Sequence, residues 1–251
     1  LPFKITNLVG ETKDEKGARV LVFEFLYGNP TDIGSIAPGS PLASSIARSI
    51  AAIHNLDNAI VENAHLASFE PAEIVRTRMA ELDRMASTGR VPSILLSRWE
   101  AALEDVSMFR FKPTVIHGGL SGESVLNLDN QVAAILGWNT LRISDPAEDF
   151  AWIFGAGLHD LNDNVLDVYF QNHDGVDSSL RSRATLYAEL EIGRWLLHGV
   201  SRNDQEIIDD AVSMLEVVAE DVETGAIARL TSAPLSTPAV APISAPDNEL
   251  F

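Results

Sequence analysis

Between Val115 and Leu126 the chain reads VIHGGLSGESVL: an apolar pair running into His117, two adjacent glycines, a small polar loop and a second apolar run. This is the outline of a strand, a tight loop and a second strand. A loop of this kind could orient a hydroxyl or hold a cation against phosphate, and that work needs carboxylates or other hard oxygen ligands. The loop's only ionisable group able to coordinate a cation is Glu123. Its near-emptiness is the question the rest of the sequence has to answer.

The elements around the loop can be read from pattern. VLVFEFLYG, Val20 to Gly28, is rich in β-branched and aromatic residues; with FKITNLV before it and DEKG between, it predicts a β-hairpin. Leu42, Ile46, Ile50 and Ile53 then recur at helical spacing, with Ser40 as cap and Pro41 at the first helical position. Further helices are expected over Pro71–Ala86 and over Pro92 to about Asp105. SVLNL and QVAAILGW form a second hairpin about the turn Asp129-Asn130. A two-residue turn sets Leu128 opposite Gln131 and Ser124 opposite Ile135, which brings positions 119, 124 and 137 to one end of the hairpin. In SDPAEDFAWIF, Asp145 is a good cap, Pro146 fits the first helical position and Glu148 has capping-box spacing. Long helices follow over 178–200 and 203–229, and the final stretch from 231 carries a proline every fourth residue, the mark of an extended or disordered tail.

Bulk properties narrow the function. With 251 residues, 46% of them apolar, the chain can bury a sizeable core. Its 36 acids against 18 bases give a net charge of −18, which argues against nucleic acid as a partner. There are no cysteines, so disulfides and thiolate metal sites are excluded. No apolar run suits a membrane span and no signal pattern opens the chain, so no membrane partner and a cytoplasmic location are expected. The chain begins Leu1-Pro2 without an initiator methionine, as an excised piece of a longer protein would.

These motifs together resemble the aminoglycoside and macrolide phosphotransferase family, small-molecule kinases with a protein-kinase-like fold. The family reads H-G-D-L-x-x-x-N-V-L, then a strand ending I-D-W, then D-P-x-x-D-[LF]-A. The matching residues here are His117, Gly118, Leu120, Val125 and Leu126, then Trp138, then Asp145, Pro146, Asp149, Phe150 and Ala151. AAIHNL resembles the family's helix closing on Leu-His, while RWEAALED and RATLYAELEIGRWLLHGV look most like the macrolide branch. The resemblance implies an α+β, protein-kinase-like phosphotransferase fold. Residues 1–30 would be the end of a small lobe with a hinge-like strand, 31–230 a helical large lobe and 231–251 the tail. The hinge whose backbone meets adenine would fall at Glu24, Phe25 and Leu26. Asp149 would brace the loop's backbone, Asp145 would cap its helix, and His117 and Trp138 would pack within the loop.

The departures fall on the chemistry. The family's acceptor-orienting Asp and its two metal ligands correspond to Gly119, Ser124 and Gly137. No kinase-type glycine-rich loop precedes the hinge-like strand, and Lys4, Lys13 and Lys16 belong to a strand start and a turn, on the surface. The leading expectation is therefore a catalytically degenerate member, a pseudokinase kept for binding or scaffolding, with no metal and no cofactor. A second reading is an active kinase using ATP or GTP with Mg²⁺, in which Glu123, Asp129 or Glu148 stands in for the missing acids. A third is an acidic helical module: Asp204 to Glu223 holds eight acids and no base, a face for a basic protein. The partner under the first two readings is an unidentified small molecule.

Overall fold

A computed structural model describes residues 1–231, so the proline-rich tail expected from 231 onward lies, but for Thr231, outside the described residues. The chain opens with the hairpin β1 (Leu8–Lys13) and β2 (Arg19–Phe23), antiparallel and turned at Asp14–Gly17. The strand expected over Val20–Gly28 stops at Phe23, because Glu24 to Gly28 leave β1 and cross towards the larger body. Leu26 anchors the crossing, buried with Leu126 and Ala134.

β3 (Asn29–Pro30) leads to α1 (Pro41–His54), where Ser40 accepts the Ala43 amide and Ile46, Ile50 and Ile53 are buried. A short α2 (Ala59–Asn63) precedes α3 (Pro71–Ser87), whose start is a reciprocal capping box between Glu70 and Glu73. α4 (Ser93–Glu104) buries Leu95, Trp99 and Leu103. Then come β4 (Thr114–Ile116), β5 (Val125–Leu128), β6 (Gln131–Ile135) and β7 (Arg142–Ser144). After a 3₁₀ segment (Pro146–Phe150) follow α5 (Ala151–Phe154), α6 (His159–Asn172), α7 (Leu180–Arg202) and α8 (Gln205–Thr224).

The strands make three small sheets, β1–β2, β3–β5–β6 and β4–β7. The free edge of β6 takes Lys4, whose amide donates to Ala133 O at 2.9 Å while its carbonyl accepts from Ile135 N at 3.0 Å. One apolar core joins α1 and α3 to α8, with Trp99, Tyr169, Tyr187 and Phe150 fully enclosed. Among the described residues no helix is long and apolar enough to cross a membrane.

The β5–β6 hairpin departs from its expected register by one residue. Leu128 faces Gln131 as the turn requires, but an irregularity at Leu126/Asn127 leaves Val125, not Ser124, opposite Ile135. The odd residue is Ala133, whose carbonyl serves Lys4 on the other edge. Ser124 now meets Leu136, whose amide donates to its carbonyl at 2.9 Å, so Gly137 still lies beside the loop.

Candidate functional site

The loop 117–124 hangs between β4 and β5, and Asp149 fixes its start. The fully buried carboxylate accepts the amides of His117 at 2.8 Å and Gly118 at 2.7 Å. It also accepts from His54 Nε2 at 3.2 Å, leaving His54 Nδ1 to accept the Tyr169 hydroxyl at 2.9 Å. Burial alone would raise the Asp149 carboxyl, but the His54 contact and the two loop amides outweigh it and hold it below its ordinary value.

His117 is enclosed and lies edge-on to Trp138, ring centroids 4.7 Å apart. A carbonyl can only accept, so Nε2 donates to Leu136 O at 2.8 Å. Nδ1 is buried without a partner, and burial pushes the imidazole below its usual pKa. The Trp138 indole donates to Ile135 O at 2.8 Å. Asp145 accepts the Ala147 amide and also forms a fork with Arg183, with the Tyr187 hydroxyl as a third donor.

The imidazole separates the two glycines where the family pattern has acids. A Cβ on Gly137 would meet His117 Cε1 at 3.8 Å, and one on Gly119 would lie 3.9 Å from His117 Nδ1. Gly119 is also closed off by Thr140 Oγ1, 2.8 Å from that Cβ, which donates to His117 O. Gly118, at φ +74°, has Arg142 and Thr140 O where a side chain would begin. Space for a side chain is thus taken at Gly119, whereas at Gly137 it is the backbone, at φ +81°, that disfavours one.

A catalytic Mg²⁺ does not fit these residues. The Ser124 hydroxyl is spent within the loop, accepting from Ser121 N at 2.8 Å and donating to Ser121 O at 3.0 Å. Gly119 and Gly137 offer no ligand atom, and among the described residues no group of three acids, histidines or cysteines could hold a metal. Of the stand-ins considered from sequence, Glu123 is exposed and Asp129 occupies the turn at the opposite end of the hairpin from Ser124. Glu148 has neither its expected capping role nor a free oxygen: Oε1 accepts from Ser144 and Oε2 from Arg78 and Arg142. At the hinge-like segment, Leu26 faces inward, Phe25 is exposed, and Glu24 N is taken by Asn7 O. Lys4, Lys13 and Lys16 are all exposed.

Beneath Gly118 and Gly119 opens a cavity of about 570 Å³. One wall is apolar, formed by Leu120, Trp152, Ile192, Trp195 and Met214. The other carries a chain of alternating charges, of which Arg78, Arg142, Glu148, Glu191 and Arg194 line the cavity and Glu81 does not. Arg142 reaches Glu148 at 2.7 Å, Glu148 reaches Arg78 at 2.8 Å, Arg78 reaches Glu81 at 3.1 Å and Glu81 reaches Arg194 at 2.8 Å. Arg194 closes the chain on Glu191 at the rim. Hydrogen bonds and charge from Arg194 and Arg78 overcome burial and hold Glu81 below the usual carboxylate range. Of this wall sequence reasoning singled out only Glu148, since its residues come from α3, β7, the 3₁₀ segment and α7 and share no local spacing. The partial signal was arginine placed among apolar positions of α3 and α7.

A family model described as "Phosphotransferase enzyme family" matches residues 7–187. Among solved structures, macrolide 2′-phosphotransferase MphH from Brachybacterium faecium superposes with a TM-score of 0.71 at 19% identity, covering 86% of this chain and 74% of that one. A macrolide 2′-phosphotransferase type I gives 0.71 at 21% identity, over 86% and 73%. The GDP complex of aminoglycoside 2′-phosphotransferase-IIIa gives 0.71 at 15% identity, over 89% and 77%. At these identities the likeness is one of fold, the kinase-like phosphotransferase fold. None of the curated proteins compared matches the chain.

Proposed function

Because the chain belongs to the phosphotransferase enzyme family, we propose that it is a non-catalytic member, which binds a small molecule in the cavity beneath its glycine loop and transfers no phosphoryl group. The observation that carries this reading is the state of positions 119, 124 and 137: two glycines and one serine whose hydroxyl is tied to Ser121. Phosphoryl transfer in such folds is positioning plus electrostatic stabilisation. Loss of a positioned base alone costs on the order of 10²–10⁴ in rate, and without a metal carboxylate the triphosphate charge stays unneutralised.

The retained residues support the same reading, since each has a structural duty. Asp149 holds the loop amides, Asp145 holds Arg183 and Tyr187, and His117 holds Leu136 O. The test is an assay of Mg²⁺-dependent transfer from ATP and GTP to aminoglycosides and macrolides, run on the parent and on Glu123→Ala. No turnover is expected in either. Turnover in the parent that vanishes in Glu123→Ala would overturn the proposal and establish a relocated acid.

A further inference from the structure

We propose that the cavity receives an amphipathic molecule with a single anionic head, and that it turns polyamines away. The inference rests on the reading of this cavity as a ligand site. Its basis is that every acid of the charged chain is already ion-paired with an arginine. Both oxygens of Glu148 are taken, Glu81 Oε2 accepts from Arg78 and from two nitrogens of Arg194, and Glu191 accepts from Arg194. A ligand ammonium finds each acid already paired with a guanidinium and would have to share or displace it, against the repulsion of the other two arginines.

An anion meets the opposite situation. Three guanidiniums, Arg78, Arg142 and Arg194, line the cavity with Glu148, while Glu81 pairs Arg78 and Arg194 from outside the lining. Glu191 is the third acid, and its side chain is 55% exposed, the loosest member of the chain. When Glu191 swings into solvent, Arg194 Nη1 is released to a ligand carboxylate, which restores the alternation of charge. The apolar body then lies along Trp152, Ile192, Trp195 and Met214. The chain's overall charge of −18 acts against this preference only at long range, because a Debye length of about 8 Å at physiological salt screens it. Contacts within the cavity decide.

The probe is a matched pair, decanoate and decylamine, with kanamycin as the polyamine, titrated calorimetrically against the whole chain at physiological salt. Decanoate is expected to bind one to one, at least about tenfold tighter than either amine. Arg194→Gln should weaken decanoate about tenfold, and Glu191→Gln, which removes the competing acid, should strengthen it several-fold. Glu191→Gln lies at the exposed rim and carries the test if Arg194→Gln melts early. Tighter binding of decylamine or kanamycin, abolished by filling the cavity with Ala188→Trp, overturns the anionic preference and leaves the ligand-site reading standing. Silence from all three probes overturns both. Turnover with ATP would overturn only the non-catalytic reading.

Discussion

Two buried side chains set how the loop responds to acid. Unfolded, His117 takes a proton near pH 6.5, whereas in the fold burial keeps it neutral to lower pH. The unfolded chain therefore binds more protons in that window, and stability falls as pH drops below about 6.5. Asp149 acts in a lower window: its contribution is complete above about pH 4 and is lost as pH falls through its depressed folded value. Denaturant titrations at a series of pH values should show both limbs. His117→Gln should flatten the upper one, with His173, also held low by burial, keeping part of it. Asp149→Asn should flatten the lower one; unchanged slopes would remove these residues from the account. A further prediction concerns Gly119. Restoring an acid as Gly119→Asp drives Thr140 Oγ1 off His117 O and should cost about 1–3 kcal/mol, part of which Thr140→Ala returns in the double variant. Simple additivity of the two melting shifts would deny the coupling. The glycines themselves were legible in sequence, but the packing of Thr140 and Arg142 around them was not, because it depends on β7 returning beside β4.

At the scale of elements, the sequence spoke clearly where turn and cap chemistry is local. Ser40-Pro41, Asp145-Pro146 and the Asp129-Asn130 turn all stand where their types suggest, the last with both residues at positive φ. It spoke less clearly where a distant strand intervenes. The one-residue shift in β5–β6 falls where Lys4 pairs with the outer edge of β6, some 130 residues away in sequence, and no turn rule contains that contact. α6 went unread for a different reason: Leu158 occupies its cap position with no side-chain bond, and its apolar set Leu161, Val165, Leu166 and Tyr169 is interleaved with acids and asparagines. Its stability comes from packing on α1 and from Tyr169 on His54. The turn yields a prediction of its own. Asn130 holds φ +59°, a conformation that glycine adopts without strain, so Asn130→Gly should stabilise the hairpin slightly, by about 0.5 kcal/mol. A lower denaturation midpoint would show that the asparagine side chain contributes more than the strain costs.

Across the whole molecule, two kinds of charge must be separated. Arg183, entirely enclosed, is shared by Asp145, Asp177 and the carbonyl of Met108, and Arg98 binds Glu189 while reaching Ala228 O. These bonds lie out of reach of mobile ions, and the carboxylates around Arg183 outweigh burial and raise its pKa. Apart from these, the cavity-wall chain and Asp149, the charge is on the surface and mostly negative, with α8 exposing Glu206, Asp209, Asp210, Glu216 and Glu220 and holding no base. Such a surface repels itself, and salt screens that repulsion while leaving the enclosed pairs nearly untouched. The melting temperature should therefore rise as NaCl is raised from about 0.05 M to about 0.5 M, a range over which the Debye length shrinks roughly threefold. Arg183→Met should melt far lower, by the equivalent of about 3–5 kcal/mol, because Asp145 is left buried and unpaired. Its salt response should nonetheless parallel that of the parent. If salt instead lowered the parent's melting temperature, exposed pairs such as Arg19 with Glu11 would be contributing more than the net repulsion costs. The acidic surface would then be a stabilising network, and its unpaired acids would not be free to meet a basic partner.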